Sequence, residues 1–318
     1  MGWYIIRRIL FAIPIALGVS VVCFSLVYLA PGDPLQTLLP PDATAETIAI
    51  VKHAYGFDQP IPVQYAIWLW HVLQGDFGRS IATQRAVTSE VFGSLSNTAV
   101  LALFAVPLSF SMGYVLGAIA GCFPGGIVDR LVTGSAVVGV SLPNYWLGLV
   151  LVIVFAVNLS ILPASSMGPS GSGNFSIFSA DDLRYLVLPV LTLAMIPIGI
   201  LARTTRAAVT EVRNQDFVTT LRAMGLGELA IIRHVLKNAS PQVLTVMGLQ
   251  FGYLMGGSIL VETVFTWPGS GFLLSKAIIN RDIPVLQGTI LALSLVFVFT
   301  NLVVDLLQAV MDPRIRRA

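Results

Sequence analysis

The stretch that decides the fold is residues 216–241, DFVTTLRAMGLGELAIIRHVLKNASP, a polar segment between two uncharged apolar runs. A glycine pair, Gly225 and Gly227, interrupts a helical pattern within it. The basic residues in and just before it are Arg206, Arg213, Arg222, Arg233 and Lys237. Because both flanking runs are long enough to enter a membrane, the segment must connect two spans and lie in water at the membrane surface.

The composition places most of the chain in lipid. Of its 318 residues, 56% are hydrophobic and 11% are charged, with a mean hydropathy of +0.84, whereas an ordinary soluble protein carries about 25% charged residues. The net charge of +2 is too small to indicate nucleic-acid binding. Cys23 and Cys122 lack metal-ligand spacing, and we expect both to be buried as small hydrophobic residues.

Six uncharged stretches have about the 20 residues needed to cross roughly 30 Å of hydrocarbon. They are residues 9–30, 98–121, 131–158, 185–202, 241–261 and 285–304. The first follows Arg7 and Arg8 like a secretory signal, but it is longer than the apolar region of about 7–15 residues typical of such signals. We therefore predict a retained span and an all-α, polytopic membrane protein with six transmembrane helices.

The basic residues predict the topology of these six spans. One side of the membrane would hold both termini, the 122–130 turn and the 203–240 segment, with twelve of the eighteen arginines and lysines. Since cytoplasmic loops carry the excess of basic residues, we predict that both termini are cytoplasmic. On the other side, residues 31–97 should form a helical cap with helices near 43–55 and 63–73, and the Gly/Ser-rich loop 159–182 should not pack.

A short helix is expected inside the polar segment. Residues 203–212 should extend the fourth span, and Asn214 or Asp216 can cap the new helix by accepting from its free backbone amides. Phe217, Leu221 and Met224 then share one face. A helix this short is marginal in water, so its apolar face needs a partner surface: another protein, the membrane or the chain's own helices.

Glycine and proline mark the end of this short helix and the start of the next span. Gly225 supplies the conformation that ends a helix. A second helix is expected from Glu228 to Lys237. Ser240 and Pro241 are typical of a cap and a first-turn proline, and they predict a fresh helix start at the fifth span.

This arrangement resembles a known family element. The short helix, Gly225 and a proline sixteen residues later at Pro241 resemble the EAA loop of ABC-importer permeases, with Thr219, Thr220 and Leu221 standing where that family has Glu-Ala-Ala. Other segments, in the family's order, are similar to the B-type permease of the dipeptide, oligopeptide and nickel importers. They are PGDP at 31–34, Gly56 to Tyr65 with GDFG at 75–78, SLPNYW at 141–146, ExxFxWPGxG at 262–271, RDxPxxQG at 281–288 and DPRIR at 312–316.

The resemblance implies a type I importer permease fold in the bacterial cytoplasmic (inner) membrane. Residues 1–97 would form the first helix and an extracytoplasmic cap, and residues 98–318 a five-helix core with a coupling loop at 206–240. The implied partners are a second homologous permease, two ATP-binding subunits and an extracytoplasmic substrate-binding protein. The residues implied to couple to the ATP-binding subunit are Asp216, Phe217, Leu221, Arg222, Met224, Gly225 and Gly227.

No motif for catalysis or nucleotide binding is present. The chain lacks a GxxxxGK[ST] phosphate loop, and none of its three lysines, Lys52, Lys237 and Lys276, follows a glycine. HExxH, GxSxG and CxxC sites are also absent from the sequence. We therefore expect no catalytic residues, no bound metal or cofactor, and ATP with Mg on the partner subunits.

Two carboxylates near the ends of predicted spans are candidates for structural or gating roles. Glu262 follows the fifth span and Asp305 closes the sixth, whereas a proton-coupled carrier would need a relay near the middle of the membrane. We expect each carboxylate to be anchored near an interface or paired with an arginine. Further candidates for such roles are Pro143, Trp267, Pro268 and Gly269.

The leading hypothesis is a permease that forms half of a pathway for di- or oligopeptides in an ATP-driven importer. Nickel, glutathione or opine-like solutes are alternative cargoes. Alternatives of another class are a stand-alone secondary transporter, which would need the missing acidic relay, and a membrane-embedded enzyme, which would need a reactive cluster.

Overall fold

The structure is a computed structural model that describes residues 2–29, 44, 46, 52 and 58–311. Within these residues the regular structure is helical, apart from an isolated bridge between Arg79 and Ala86. The helices are α1 Gly2–Leu29, α2 Ile61–Leu73, α3 Val87–Cys122, α4 Ile127–Ser141, α5 Asn144–Leu151, α6 Ala180–Arg213, α7 Asp216–Ala223, α8 Glu228–Val264, α9 Ser270–Ile279 and α10 Ile283–Met311. A π-helical segment, Val152–Asn158, continues α5, and Ser172–Asn174 forms a 3₁₀ turn.

Three helices, α3, α6 and α10, are long and apolar enough to cross a membrane alone. Two bent pairs could each supply another span: α4 with α5 and its π-helical continuation, bent by 102°, and the two parts of α8, Glu228–Leu254 and Ser258–Val264, bent by 45°. The apolar part of α1, Leu10–Leu26, is shorter. The chain is thus an all-α membrane protein, and the part of it that the structure describes contains three to five candidate spans.

The expected third span is broken in its middle. Leu142 has extended backbone (φ −85°, ψ 130°), because the ring of the following Pro143 disfavours the helical conformation at the preceding residue. The crossing predicted for residues 131–158 is therefore two helices set at a steep angle instead of one rod.

The region before the second predicted span is more helical than expected. α3 begins at Val87, well before residue 98, so the predicted division between residues 97 and 98 falls inside a continuous helix. The predicted helix at 63–73 is confirmed as α2, which is tied to α1 by a 2.7 Å hydrogen bond between Tyr65 Oη and Ser20 Oγ. The helix predicted near 43–55 lies almost wholly outside the described residues, as do the motif residues 31–34, Gly56 and 312–316.

α3 and α6 form the closest helix pair, and glycines on α3 make the approach possible. Gly113, Gly117 and Gly121 occur once per turn on the face toward α6, a spacing that lets two backbones approach closely. A Cβ atom added at Gly113 would lie 2.6 Å from Leu201 Cβ, and one at Gly117 would lie 2.4 Å from the Ala202 carbonyl oxygen. The core of the bundle therefore depends on the absence of side chains along this stripe.

Segments predicted to share one side of the membrane contact one another at one end of the bundle. Ser80 Oγ donates to Asp282 Oδ2 at 2.5 Å, which joins the turn before α3 to the start of α10. The backbone amide of Ser166 donates to the Phe265 carbonyl at 2.9 Å. The loop at 159–182 is therefore attached to the end of α8.

The 122–130 turn and the end of α6, both predicted to be cytoplasmic, contact each other. Arg206 on α6 holds Asp129 through both carboxylate oxygens, at 2.5 and 2.8 Å. Arg213 donates to the Cys122 carbonyl oxygen. These contacts fix the 122–130 turn against the end of α6, as expected if both lie on the same side of the membrane.

The loop at 159–182 packs, and the prediction that it would not was wrong. Met167 is buried with 2% exposure, and the Phe175 ring lies edge-on to Trp267 at 5.8 Å. The backbone amide of Ser176 donates to Asp182 Oδ2 at 3.0 Å. Apolar anchors within the Gly/Ser-rich stretch thus decide its packing. The prediction that both cysteines are buried and free is confirmed.

We predict that Gly117→Ala destabilises the bundle by about 1–3 kcal/mol, because the added methyl group meets backbone atoms that cannot move independently. The measurement is thermal or denaturant unfolding of the protein in detergent micelles. Gly134→Ala on α4 is the matched control, since nothing lies within 4 Å of its added Cβ and alanine is the better helix former. Equal stability of the two variants would contradict the close α3–α6 contact.

Candidate functional site

The short helix expected in the polar segment exists as α7, but its cap differs from the prediction. Its N-cap residue is Gln215, with no side-chain hydrogen bond to the helix. Asn214 instead ends α6. Asp216 is the first residue of α7, where its negative charge is favourable beside the free amides of the first turn. The predicted capping by Asn214 or Asp216 was therefore wrong.

The end of α7 confirms the role predicted for Gly225. Its φ angle is +80°, a left-handed conformation that glycine adopts without a steric penalty. The Gly225 amide donates to the Arg222 carbonyl at 2.9 Å, and the Leu226 amide donates to the Leu221 carbonyl at 3.2 Å. These two bonds form a Schellman motif, which turns the chain sharply from α7 toward α8.

The apolar residues of α7 divide between the interior and the surface. Val218 is buried, and Phe217 and Leu221 pack, partly buried, in the same cluster as Ile231 of α8. Met224 is 70% exposed. The chain's own helices therefore cover most of the predicted apolar face, and they hold α7 in place.

The residues that stay exposed form what we term the α7–α8 tip: Arg222, Met224, Glu228 and Leu229. Leu229 is 83% exposed. Arg222 Nε lies 3.1 Å from Glu228 Oε1 in an exposed ion pair, and such pairs contribute only about 0–1 kcal/mol to stability. The tip therefore presents two exposed apolar side chains, Met224 and Leu229, on either side of the turn between α7 and α8.

The tip continues without interruption into the following span. α8 runs from Glu228 to Val264 with Pro241 inside it, so the fresh start predicted at Ser240 and Pro241 was wrong. Proline has no N–H to donate to the Lys237 carbonyl, and Ser240 Oγ donates to that carbonyl instead, at 2.8 Å. The serine hydroxyl compensates for the missing amide, and the helix persists.

A second site lies at the far end of α8, where Glu262 is buried. Its Oε1 accepts from Thr98 Oγ1 of α3 at 2.7 Å. Its Oε2 accepts from the backbone amides of Gly271 at 2.7 Å and Phe272 at 3.2 Å. These amides belong to the first turn of α9, which has no helical acceptors of its own. The carboxylate therefore joins α3, α8 and α9, and we call this cluster the Glu262 junction.

The residues that follow Glu262 close the same junction. A Cβ atom at Gly269 would lie 2.5 Å from the Glu262 carboxylate, so only glycine fits there. Trp267 is buried and donates through Nε1 to the Asn97 carbonyl at 2.9 Å, while Asn97 Nδ2 donates to the Pro268 carbonyl at 2.8 Å. The structure thus brings these four candidates for structural or gating roles together.

The remaining candidates lie elsewhere. Asp305 Oδ2 is 2.9 Å from Arg8 Nη1, which agrees with the expectation of a carboxylate paired with an arginine. Pro143 lies at the break between α4 and α5. Within the described residues, the histidines, cysteines and carboxylates do not form a group able to hold a metal ion.

Sequence reasoning missed a polar group beside this break. Asn144 Nδ2 donates to Tyr253 Oη of α8 at 3.2 Å, and Gln250 lies one turn before Tyr253 on the same helix. An asparagine directly after a proline inside an apolar run was the signal that could have identified it.

Comparison with known families decides what the chain is. Residues 113–317 match the family described as binding-protein-dependent transport system inner membrane component, and residues 1–102 match the N-terminal region of such membrane components. The chain belongs to this family. It is a multi-pass transport permease of the bacterial inner membrane and not an enzyme, and the resemblance drawn from its sequence is confirmed.

Two relatives are similar over nearly their whole length. The glutathione transport system permease protein GsiC of Salmonella typhimurium is 40% identical over 314 residues, with 98% of each chain covered. The dipeptide transport system permease protein DppB of Alkalihalophilus pseudofirmus is 38% identical over 330 residues, covering 98% of this chain and 99% of the relative.

We predict that Glu262→Gln lowers the free energy of unfolding by about 1–3 kcal/mol, because the new amide group would turn a donor toward Thr98 or toward the α9 amides. Unfolding in detergent, followed by circular dichroism, measures the change. Glu228→Gln on the exposed ion pair is the control and should cost no more than about 1 kcal/mol. A similar loss in both variants would show that the junction does not depend on the carboxylate.

Proposed function

We propose that this permease is a subunit of an ATP-driven importer of di- or oligopeptides and forms half of the translocation pathway. The observation that carries the cargo assignment is the naming of the two relatives, one for glutathione and one for dipeptides. Both cargoes are short peptides, and glutathione itself is a tripeptide. Neither of these two relatives is named for nickel or for an opine.

We infer a type I importer permease fold with six spans and both termini in the cytoplasm. In this arrangement α1 is the first span, the α4–α5 pair the third and α8 the fifth. The end that carries Arg206 and Arg213 faces the cytoplasm, which the excess of basic residues supports. The end that carries the Glu262 junction faces outward, toward an extracytoplasmic substrate-binding protein.

The α7–α8 tip is our candidate contact with an ATP-binding subunit. Met224 and Leu229 supply exposed apolar side chains, and Phe217, Val218 and Leu221 anchor α7 from the inside. Since interface energy concentrates in a few central apolar or aromatic residues, the exposed pair is better placed to bind a partner than the anchored face. Asp216, Gly225 and Gly227 would shape the turn that presents it.

Mechanical coupling would run along α8. The helix carries the tip at its first turn and the Glu262 junction at its last, and Ser240 keeps it intact past Pro241. Closure of two ATP-binding subunits around ATP and Mg would move the tip, and α8 would transmit that movement to the outer end. A second, homologous permease would supply the other half of the pathway, so that access switches from inward to outward.

A stand-alone secondary carrier would need titratable groups free to exchange protons along the path. Glu262 is fully engaged by backbone and hydroxyl donors, and Asp305 is paired with Arg8. These contacts favour the ATP-driven importer.

We predict that Met224→Glu prevents productive docking of the ATP-binding subunits, since a charge would replace an apolar contact at the tip. Loss of one central interface residue costs about 2 kcal/mol or more, so affinity should fall roughly thirtyfold. Co-purification of the ATP-binding subunits and peptide uptake into proteoliposomes should both decrease, while membrane insertion stays normal.

Lys237→Ala, exposed on α8 two turns beyond the tip, is the matched control and should behave as the wild type. Uptake of a labelled dipeptide must also require ATP and the binding protein. If Met224→Glu transports normally, the docking site lies elsewhere. If the wild-type complex does not transport dipeptides but takes up nickel ions or an opine, the proposed cargo is wrong.

A further inference from the structure

A polar cluster lies where α5 meets α8. It consists of Asn144, Gln250 and Tyr253, and we call it the amide cluster. Asn144 is 8% exposed and Gln250 is 9% exposed. Asn144 Nδ2 donates to Tyr253 Oη at 3.2 Å, and Gln250 is the i−3 neighbour of Tyr253, so the two share one face of α8.

Two amide oxygens of this cluster lack donors. Asn144 Oδ1 and Gln250 Oε1 are buried, and neither has a hydrogen-bond partner among the described residues. Thr205 and Thr210 on α6 also have unpartnered hydroxyls, but a hydroxyl can rotate and donate to a carbonyl of its own helix. An amide oxygen can only accept, so it needs a donor from outside the helix.

The position of the cluster is as informative as its chemistry. Asn144 lies near the middle of the third predicted span, and Gln250 and Tyr253 lie near the middle of the fifth. Both spans depart from a straight helix beside it: the third is broken and bent by 102°, whereas the fifth, α8, is continuous and bent by 45°. Broken helices at mid-membrane are tolerated where they face protein or an aqueous cavity, and in transporters they mark substrate sites.

Partly exposed aromatic side chains accompany the buried amides of the cluster. Tyr145 and Trp146, which follow Asn144 on α5, are about half exposed, and Tyr253 is also exposed. Lipid around these side chains would offer the amide oxygens no hydrogen-bond donors. Partly exposed aromatic rings near buried amide groups suit a solute of mixed polarity.

We propose that the amide cluster lines the translocation pathway and hydrogen-bonds the peptide groups of the solute in transit. Asn144 Oδ1 and Gln250 Oε1 accept from solute N–H groups. Tyr253 Oη, which already accepts from Asn144, has its own hydrogen to donate to a solute carbonyl. The inference rests on the proposed function, because it takes a peptide as the solute.

The chemistry of the cluster fits peptides as a class. Its members are uncharged, and they match the donor and acceptor that every peptide group carries. Recognition would therefore be independent of the peptide's side chains. A bare metal cation would find no charged ligands in this cluster.

The test uses the complete reconstituted importer with its binding protein in proteoliposomes. The probes are a labelled dipeptide and the same dipeptide with an N-methylated peptide bond, which lacks the donor. The variants are Asn144→Leu and Gln250→Met, which keep size and remove the acceptor, and Tyr253→Phe, which removes only a hydroxyl. Thr192→Val is the control, since the buried Thr192 hydroxyl bonds to the Leu188 carbonyl of its own helix.

We expect each acceptor variant to lower the amount of dipeptide transported per ATP hydrolysed about tenfold, because one buried hydrogen bond to the solute is lost. The binding protein should still stimulate ATP hydrolysis. The N-methylated probe should be transported poorly by the wild type. Because a dipeptide has a single peptide N–H, the variant that lacks the acceptor of this group should transport the N-methylated probe no worse than the wild type does. Tyr253→Phe, the mildest change, should lower transport severalfold.

Two results would overturn the proposal. One is transport by all three variants equal to that of Thr192→Val. The other is an equal loss for both probes in both acceptor variants, which would show that the cluster serves packing or binds only water. In either case dipeptide uptake by the wild type would leave the proposed function standing. If the wild type takes up no dipeptide, the proposed function fails, and this inference fails with it.

Discussion

In hydrocarbon there is no water to complete a hydrogen bond, so each polar atom must find its partner within the protein. This constraint governs the interruptions along the helices of this permease. At Pro241 the hydroxyl of Ser240 takes over the bond that proline cannot make. At the start of α9 the carboxylate of Glu262 accepts from the free amides. Beside the break at Pro143, two amide oxygens are left without donors, and on this difference rests the proposal that the amide cluster binds a solute.

Helix α8 contributes residues to the α7–α8 tip, the amide cluster and the Glu262 junction. Its first turn belongs to the α7–α8 tip, its middle contributes Gln250 and Tyr253, and its last turn carries Glu262. In the proposed mechanism, a displacement at the tip would therefore act on the amide cluster and on the Glu262 junction together. A 45° bend separates the two parts of α8, Glu228–Leu254 and Ser258–Val264. The two parts can therefore move by different angles. One helix thereby links the α7–α8 tip, the amide cluster and the Glu262 junction.

Patterns within single segments predicted much of this structure, but they could not predict contacts between segments that are distant in the sequence. Hydropathy predicted the helical spans, and Gly225 predicted the end of α7 because its left-handed conformation is a local property. The break at Leu142 was also local, but a long apolar run concealed it. The continuation of α8 past Pro241 depended on which hydroxyl would reach the Lys237 carbonyl. Glu262 was expected near a membrane interface, but its hydrogen-bond partner Thr98 is far away in the sequence. The periodicity of a single segment cannot predict such a pair.

The neutrality of the amide cluster suits the role proposed for it in peptide transport. A charged site at mid-membrane would bind one class of peptide side chain strongly and repel another, and the tight complex would release its solute slowly. Uncharged acceptors bind each peptide group only modestly, so the solute can leave when α8 moves. Discrimination between peptides can then be made outside the membrane, by the substrate-binding protein. Weak, side-chain-independent contacts are therefore the physical condition for a pathway that passes many peptides in one direction.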